Sequence, residues 1–145
     1  MKRLILVIVS VFLVSCAATG SKSSVTVGLF KQAEDHYKNG LLTEAEASYL
    51  KLVKVSPGVT DAWVKLGNIY IRTGQLDAAV TMYEKCLHVD QKEARCWNNL
   101  ALARVKQSME TLRQGQRQIE LNSDEHYALE RLYKKLAEVV TIKEP

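Results

Sequence analysis

Thiols, imidazoles and amides are the side chains of this 145-residue chain with most capacity for chemistry, and their spacing gives them little catalytic work. Cys86 and Cys96 fall near the end of one predicted helix and the start of the next. An antiparallel hairpin turning near Asp90 to Lys92 could bring them opposite each other, and a bridge needs Cα atoms within about 7 Å. Two buried thiols serving as small apolar fillers are the other reading, and the spacing leaves both open. No Cys-x-x-Cys is present. His36, His88 and His126 have no i, i+4 relation and no accompanying carboxylate set, so no metal site is expected. A glycine-rich phosphate loop, a nucleophile elbow and an HExxH motif are all missing. The expectation is a chain that is not an enzyme and needs no cofactor.

The third thiol has a different context. Lys2 and Arg3 precede an apolar run from Leu4 to Val14, too short for an ordinary transmembrane helix and flanked like a secretory signal. It ends Leu13-Val14-Ser15-Cys16, which resembles the lipobox of bacterial lipoproteins. The resemblance implies a signal peptide over 1–15, cleavage before Cys16 and lipidation of that thiol. An uncleaved anchor helix and an ordinary signal are the alternatives. Several acyl chains would hold the chain on a membrane, each buried methylene adding about 0.8 kcal/mol. Ala17, rather than Asp, after the cysteine resembles outer-membrane cargo facing the periplasm. Export also means oxidising conditions, which favour bridging of Cys86 and Cys96. Losing Lys2 and Arg3 lowers the basic count from 20 to 18 against 16 acids, a net charge of +2, so no nucleic-acid partner is expected.

The elements that position these groups repeat. Ala33, Gly40, Ala45, Tyr49 and Lys51 recur 34 residues later as Gly67, Gly74, Ala79, Tyr83 and Lys85, and Trp63, Leu66 and Gly67 return as Trp97, Leu100 and Ala101. A period of 34 predicts stacked helical hairpins, each too small to bury its own apolar face. Trp63, Leu66, Gly67, Tyr70, Gly74, Ala79 and Tyr83 resemble the tetratricopeptide repeat at its signature sites. The fold expected is an all-α tetratricopeptide (TPR) solenoid over 26–142, with two full repeats, a degenerate third and a C-terminal capping helix.

Residues 16–25 hold the lipidated cysteine and a small, polar stretch that reads as a flexible tether. In the first hairpin, about 26–59, Asn39-Gly40 stops one helix, and Thr43 with Glu46 reads as a capping box for the next. Pro57 closes that copy, whereas Gln91 stands in its place after the second, about 60–93. The third keeps its first helix over about 94–107, then carries Ser108, Arg113 and Arg117 where glycine, alanine and an aromatic are expected. A further helix with atypical packing is expected there, with Gly115 as a candidate kink. Asn122-Ser123-Asp124 signals the last helix, about 124–141.

The family resemblance implies a concave groove lined by the first helix of each hairpin. By register its residues are Phe30, Glu34, Tyr37 and Lys38, then Asp61, Val64, Asn68, Ile71 and Arg72, then Arg95, Asn98, Asn99, Leu102, Val105 and Lys106. The mixture suits a peptide, amides meeting its backbone and bases its acids. Asn68 and Asn99 match the sites where chaperone-binding members hold a C-terminal carboxylate, but Val64 stands where that clamp needs lysine. Arg104, Lys106, Arg113 and Arg117 read as a solvated face or as a patch for an acidic partner or lipid headgroup. The layout is similar to tetratricopeptide lipoproteins that act as pilotins. It implies an envelope adaptor that binds a protein or peptide and assists a pilus or secretion complex. A self-associating structural lipoprotein and a regulator of a cell-wall enzyme are the alternatives.

Overall fold

The computed structural model describes residues 17–141, and the lipobox-like segment with Cys16 lies outside them. Among the described residues there are six helices and no strand: α1 (Ala17–Lys38), α2 (Leu42–Val55), α3 (Thr60–Arg72), α4 (Leu76–Val89), α5 (Ala94–Gln118) and α6 (Asp124–Thr141). None is long and apolar enough to cross a membrane. The chain divides between Pro57 and Gly58 into two compact units. This is the all-α, TPR-like fold of helical hairpins that the period implies.

The first unit is the hairpin α1–α2. Gly40 takes φ +73°, a left-handed conformation open to glycine at no steric cost. The Gly40 and Leu41 amides donate to the Tyr37 and His36 carbonyls at 3.1 and 3.0 Å, closing a Schellman motif. Leu41 is therefore the N-cap of α2, with no side-chain cap. The Thr43–Glu46 capping box expected from sequence does not form, because the turn delivers the chain into helix before Thr43 is reached. Helix α1 starts at Ala17, inside the stretch read as a tether. Extending a helix already fixed by packing costs far less than nucleating one, and no proline intervenes. Ala33, Ala45, Tyr49 and Leu52 are fully buried between the two helices.

The second unit opens with the hairpin α3–α4, which repeats that turn in detail. Gly74 has φ +74°, and the Gly74 and Gln75 amides donate to the Ile71 and Tyr70 carbonyls. A Cβ at Gly67 would collide with the Tyr83 ring, which is why the crossing demands glycine. Leu66, Ile69, Ala79 and Cys86 are fully buried around it.

The third copy departs from expectation. Its first helix does not stop near 107; α5 runs unbroken to Gln118. Ser108, at the site of Gly40 and Gly74, supplies no left-handed residue and instead donates its hydroxyl back to the Arg104 carbonyl. The left-handed turn residue comes only after α5 has ended, at Asn122, which takes φ +70°. The Ser123 hydroxyl then accepts the His126 amide at 3.1 Å and caps α6. Gly115 is a crossing point rather than a break: a Cβ there would meet Leu129 Cδ1 at 3.0 Å.

Candidate functional site

Helices α3 and α5, the first helices of successive hairpins, lie side by side, and polar side chains tie them along the seam. Arg95 bonds Asp61 Oδ1 across it at 2.7 Å. The same guanidinium grips Glu93 through Nε and Nη2 at 2.9 and 2.7 Å, while the Glu93 carboxylate caps α5 by accepting the Arg95 amide. The Arg95 side-chain bond, and then its amide, hold the Glu93 carboxyl down at about 2. The guanidinium is in turn raised by Glu93 and then Asp61.

Farther along, Asn68 Oδ1 accepts from the Tyr83 hydroxyl at 2.8 Å and from Asn99 Nδ2 at 3.1 Å. Asn98 donates to Asn99 Oδ1 at 3.4 Å. The two asparagines considered for a carboxylate clamp therefore spend amide capacity on the seam. Val64, on the same strip of α3 between Asp61 and Asn68, is only 4% exposed. The register places it in the groove, but its burial leaves little of it for a ligand, and the groups on either side, Asp61 and Asn68, reach α5. Arg72 and Asn98 are exposed on the rim, while Ile71, Leu102, Val105 and Lys106 are partly buried.

The first-copy candidates form a cluster of their own within the first unit. The rings of Phe30 and Tyr37 each meet Tyr49 edge-on at 6.5 Å. The Tyr49 hydroxyl donates to Glu34, which also pairs with Lys38 at 3.8 Å. Tyr49 to Glu34 and Tyr83 to Asn68 are one bond repeated in register. The third copy has Arg117 and Leu102 at those places and lacks it.

Cys86 and Cys96 are joined by a disulfide, with Cα atoms 6.3 Å apart, linking the end of α4 to the first turn of α5. The basic cluster is largely matched from within. Arg104 pairs with Glu84 at 2.7 Å, Arg117 with Glu110 at 3.2 Å, and Arg113 lies 5.0 Å over the Tyr133 ring. That internal pairing suits the solvated-face reading better than an acidic-partner patch. His36 bonds Ser48 at 3.2 Å, His88 is exposed, and His126 stacks edge-on against Tyr127. Among the described residues no three His, Cys, Asp or Glu side chains could hold a metal ion.

Two features were missed from the sequence. Where α5 overshoots the α3–α4 turn, Gly74, Asp77, Gln107, Glu110, Thr111 and Gln114 line an open polar cleft of about 500 Å³. Trp97 is 56% exposed, although its register equivalent Trp63 is 8% exposed and lies beneath Lys85 at 5.2 Å. Antiparallel pairing with Leu129 at Gly115 places Thr141, the end of α6, opposite about residue 103. The first turns of α5 thus project past α6, and the Trp97 indole N–H settles on the Gln91 carbonyl at 2.8 Å. The absence of a turn residue at Ser108 was the signal for both features.

The paired helices, the glycine crossing and the tyrosine–amide bond of α3–α4 have a counterpart among known families. Residues 60–93 match the tetratricopeptide repeat. A TPR repeat-containing protein of Schizosaccharomyces pombe is 29% identical over 80 residues, 55% of this chain. The chain spans about 10% of that relative's length. TPR hairpins generally mediate protein–protein interaction and are typically non-enzymatic.

Proposed function

We propose that the chain is an adaptor of the bacterial envelope, anchored by lipid on Cys16 and binding a protein or peptide along the α3–α5 face. The observation that carries this reading is the seam itself. Asp61–Arg95 and Asn68–Asn99 fix two neighbouring first helices before any ligand arrives, so little ordering cost remains at binding. Around the seam, Asn98 offers a backbone-matching amide, Ile71, Leu102 and Val105 offer apolar contact, and Arg72 and Lys106 suit acidic side chains. The Cys86–Cys96 disulfide suits an oxidising compartment, as export through a lipobox-like signal requires. On the outer membrane, facing the periplasm, such an adaptor would assist assembly of a pilus or secretion complex.

The test is a crosslinking pull-down from native membranes with wild type, Cys16→Ala, Arg72→Glu and Lys106→Glu. The reading expects one envelope complex, reduced about tenfold by either charge reversal and lost with the anchor, while helicity and melting temperature hold. A reversal that unfolds the chain would assign those side chains to structure instead.

A further inference from the structure

Helix α6 has one covered face and one open flank of unusual order. Leu129 and Tyr133 meet α5 through Gly115 and Arg113, and Val140 on the same face is 8% exposed. Beside that face run Glu125, Ala128, Leu132, Lys135 and Val139, all exposed, with Leu132 and Val139 each at 48%. Their spacing of three, four, three and four is that of a coiled-coil seam, which keeps one line facing a neighbouring helix. Leu121, in the turn before α6, is 70% exposed.

The line matches itself when reversed. If Ala128 of one copy lies opposite Leu132 of a second, antiparallel pairing sets Glu125 opposite Lys135. Two-fold symmetry makes each match twice. Parallel pairing would instead oppose glutamate to glutamate and lysine to lysine, so the charges select orientation as well as register. Neither Glu125 nor Lys135 has an ion-pair partner among the described residues, whereas Glu130 and Lys134, around the helix, pair with each other at 2.7 Å.

We propose that the open flank of α6 is a homodimer seam, two copies joining antiparallel through Glu125, Ala128, Leu132, Lys135 and Val139. This face is separate from the α3–α5 face, so a dimer offers two partner-binding faces. An 18-residue helix is about 27 Å long, and one such pair lies at the small end of specific interfaces. Dissociation constants on the order of 10–100 µM are expected in solution, with confinement on a membrane raising the bound fraction.

The test is sedimentation velocity on the full chain in mild detergent, from about 1 to about 500 µM, with circular dichroism confirming that each variant stays helical. Wild type should pass from monomer to dimer across that range. Glu125→Lys and Lys135→Glu should each weaken association roughly tenfold, since two attractions become two repulsions. The double swap should return to within about threefold of wild type, and Leu132→Asp should abolish the dimer. A chain that stays monomeric throughout would overturn the proposal, as would a dimer indifferent to the single reversals or to Leu132→Asp.

Discussion

The α3–α4 and α5–α6 hairpins begin from the same tryptophan–leucine signature and end as different objects. Both open on tryptophan, leucine and a small residue, at Trp63, Leu66 and Gly67 and at Trp97, Leu100 and Ala101. In the first, Gly74 turns the chain at once, and α4 covers the whole of α3. In the second, Ser108 leaves the turn to Asn122, and α6 covers only the later part of α5. Identical side chains consequently meet opposite environments, a buried tryptophan in one hairpin and an exposed one in the other. One turn residue, more than the apolar signature, decides what a copy of this repeat buries.

The largest expected separation comes from the two tryptophans. Trp63→Ala should cost about 3–5 kcal/mol in chemical denaturation, as for other buried aromatics, while Trp97→Ala should cost under about 1 kcal/mol. Equal losses would mean that Trp97 is covered in solution and that the difference between the hairpins is smaller than described. Next comes the disulfide. Replacing Cys86 and Cys96 together by alanine should lower stability by about 2–4 kcal/mol, measured by urea unfolding of oxidised wild type against the variant. No loss would show that helix packing alone holds the α4–α5 junction.

The crossing residues give the third contrast. Gly67→Ala forces a methyl into the Tyr83 ring and should cost about 1–3 kcal/mol, whereas Ala101→Gly, at an exposed site, should cost about 1 kcal/mol through helix propensity alone. Differential scanning calorimetry of the two variants would rank them, and a reversed order would break the comparison. The smallest effect concerns pH. Glu93 sits near 2 in the folded chain against an ordinary value of 4.5. The folded value is depressed, so its stabilisation is complete above about 4.5 and is lost as pH falls toward about 2. Arg95→Gln should flatten that part of the stability profile, with a small loss above about 4.5 that vanishes as pH falls toward about 2.

Features carried by backbone conformation were legible in the sequence. Gly40 and Gly74 announced left-handed turns because only glycine reaches them cheaply, and the interval of 34 tied one hairpin to the next. Less was legible where a residue's role depends on what it lies against. Thr43 and Glu46 have the right types for a capping box, yet the Schellman turn puts the cap at Leu41. Val64 shares a strip with polar, half-buried Asp61 and Asn68, yet is itself buried at 4% exposure. Arg104, Arg113 and Arg117 look like a basic patch in one dimension, since Glu84 and Tyr133 come from other helices. Glu93 showed no sign in sequence of linking the start of α5 to Asp61 through Arg95.

The central claim is that a partner lies along the α3–α5 face. The direct measurement is photo-crosslinking in intact cells, with a photoreactive side chain placed at Asn98 on that face or at exposed Thr81 on α4. The account predicts one envelope protein captured from Asn98 and little from Thr81. Capture from Thr81 alone, or equal capture from both positions, would contradict it.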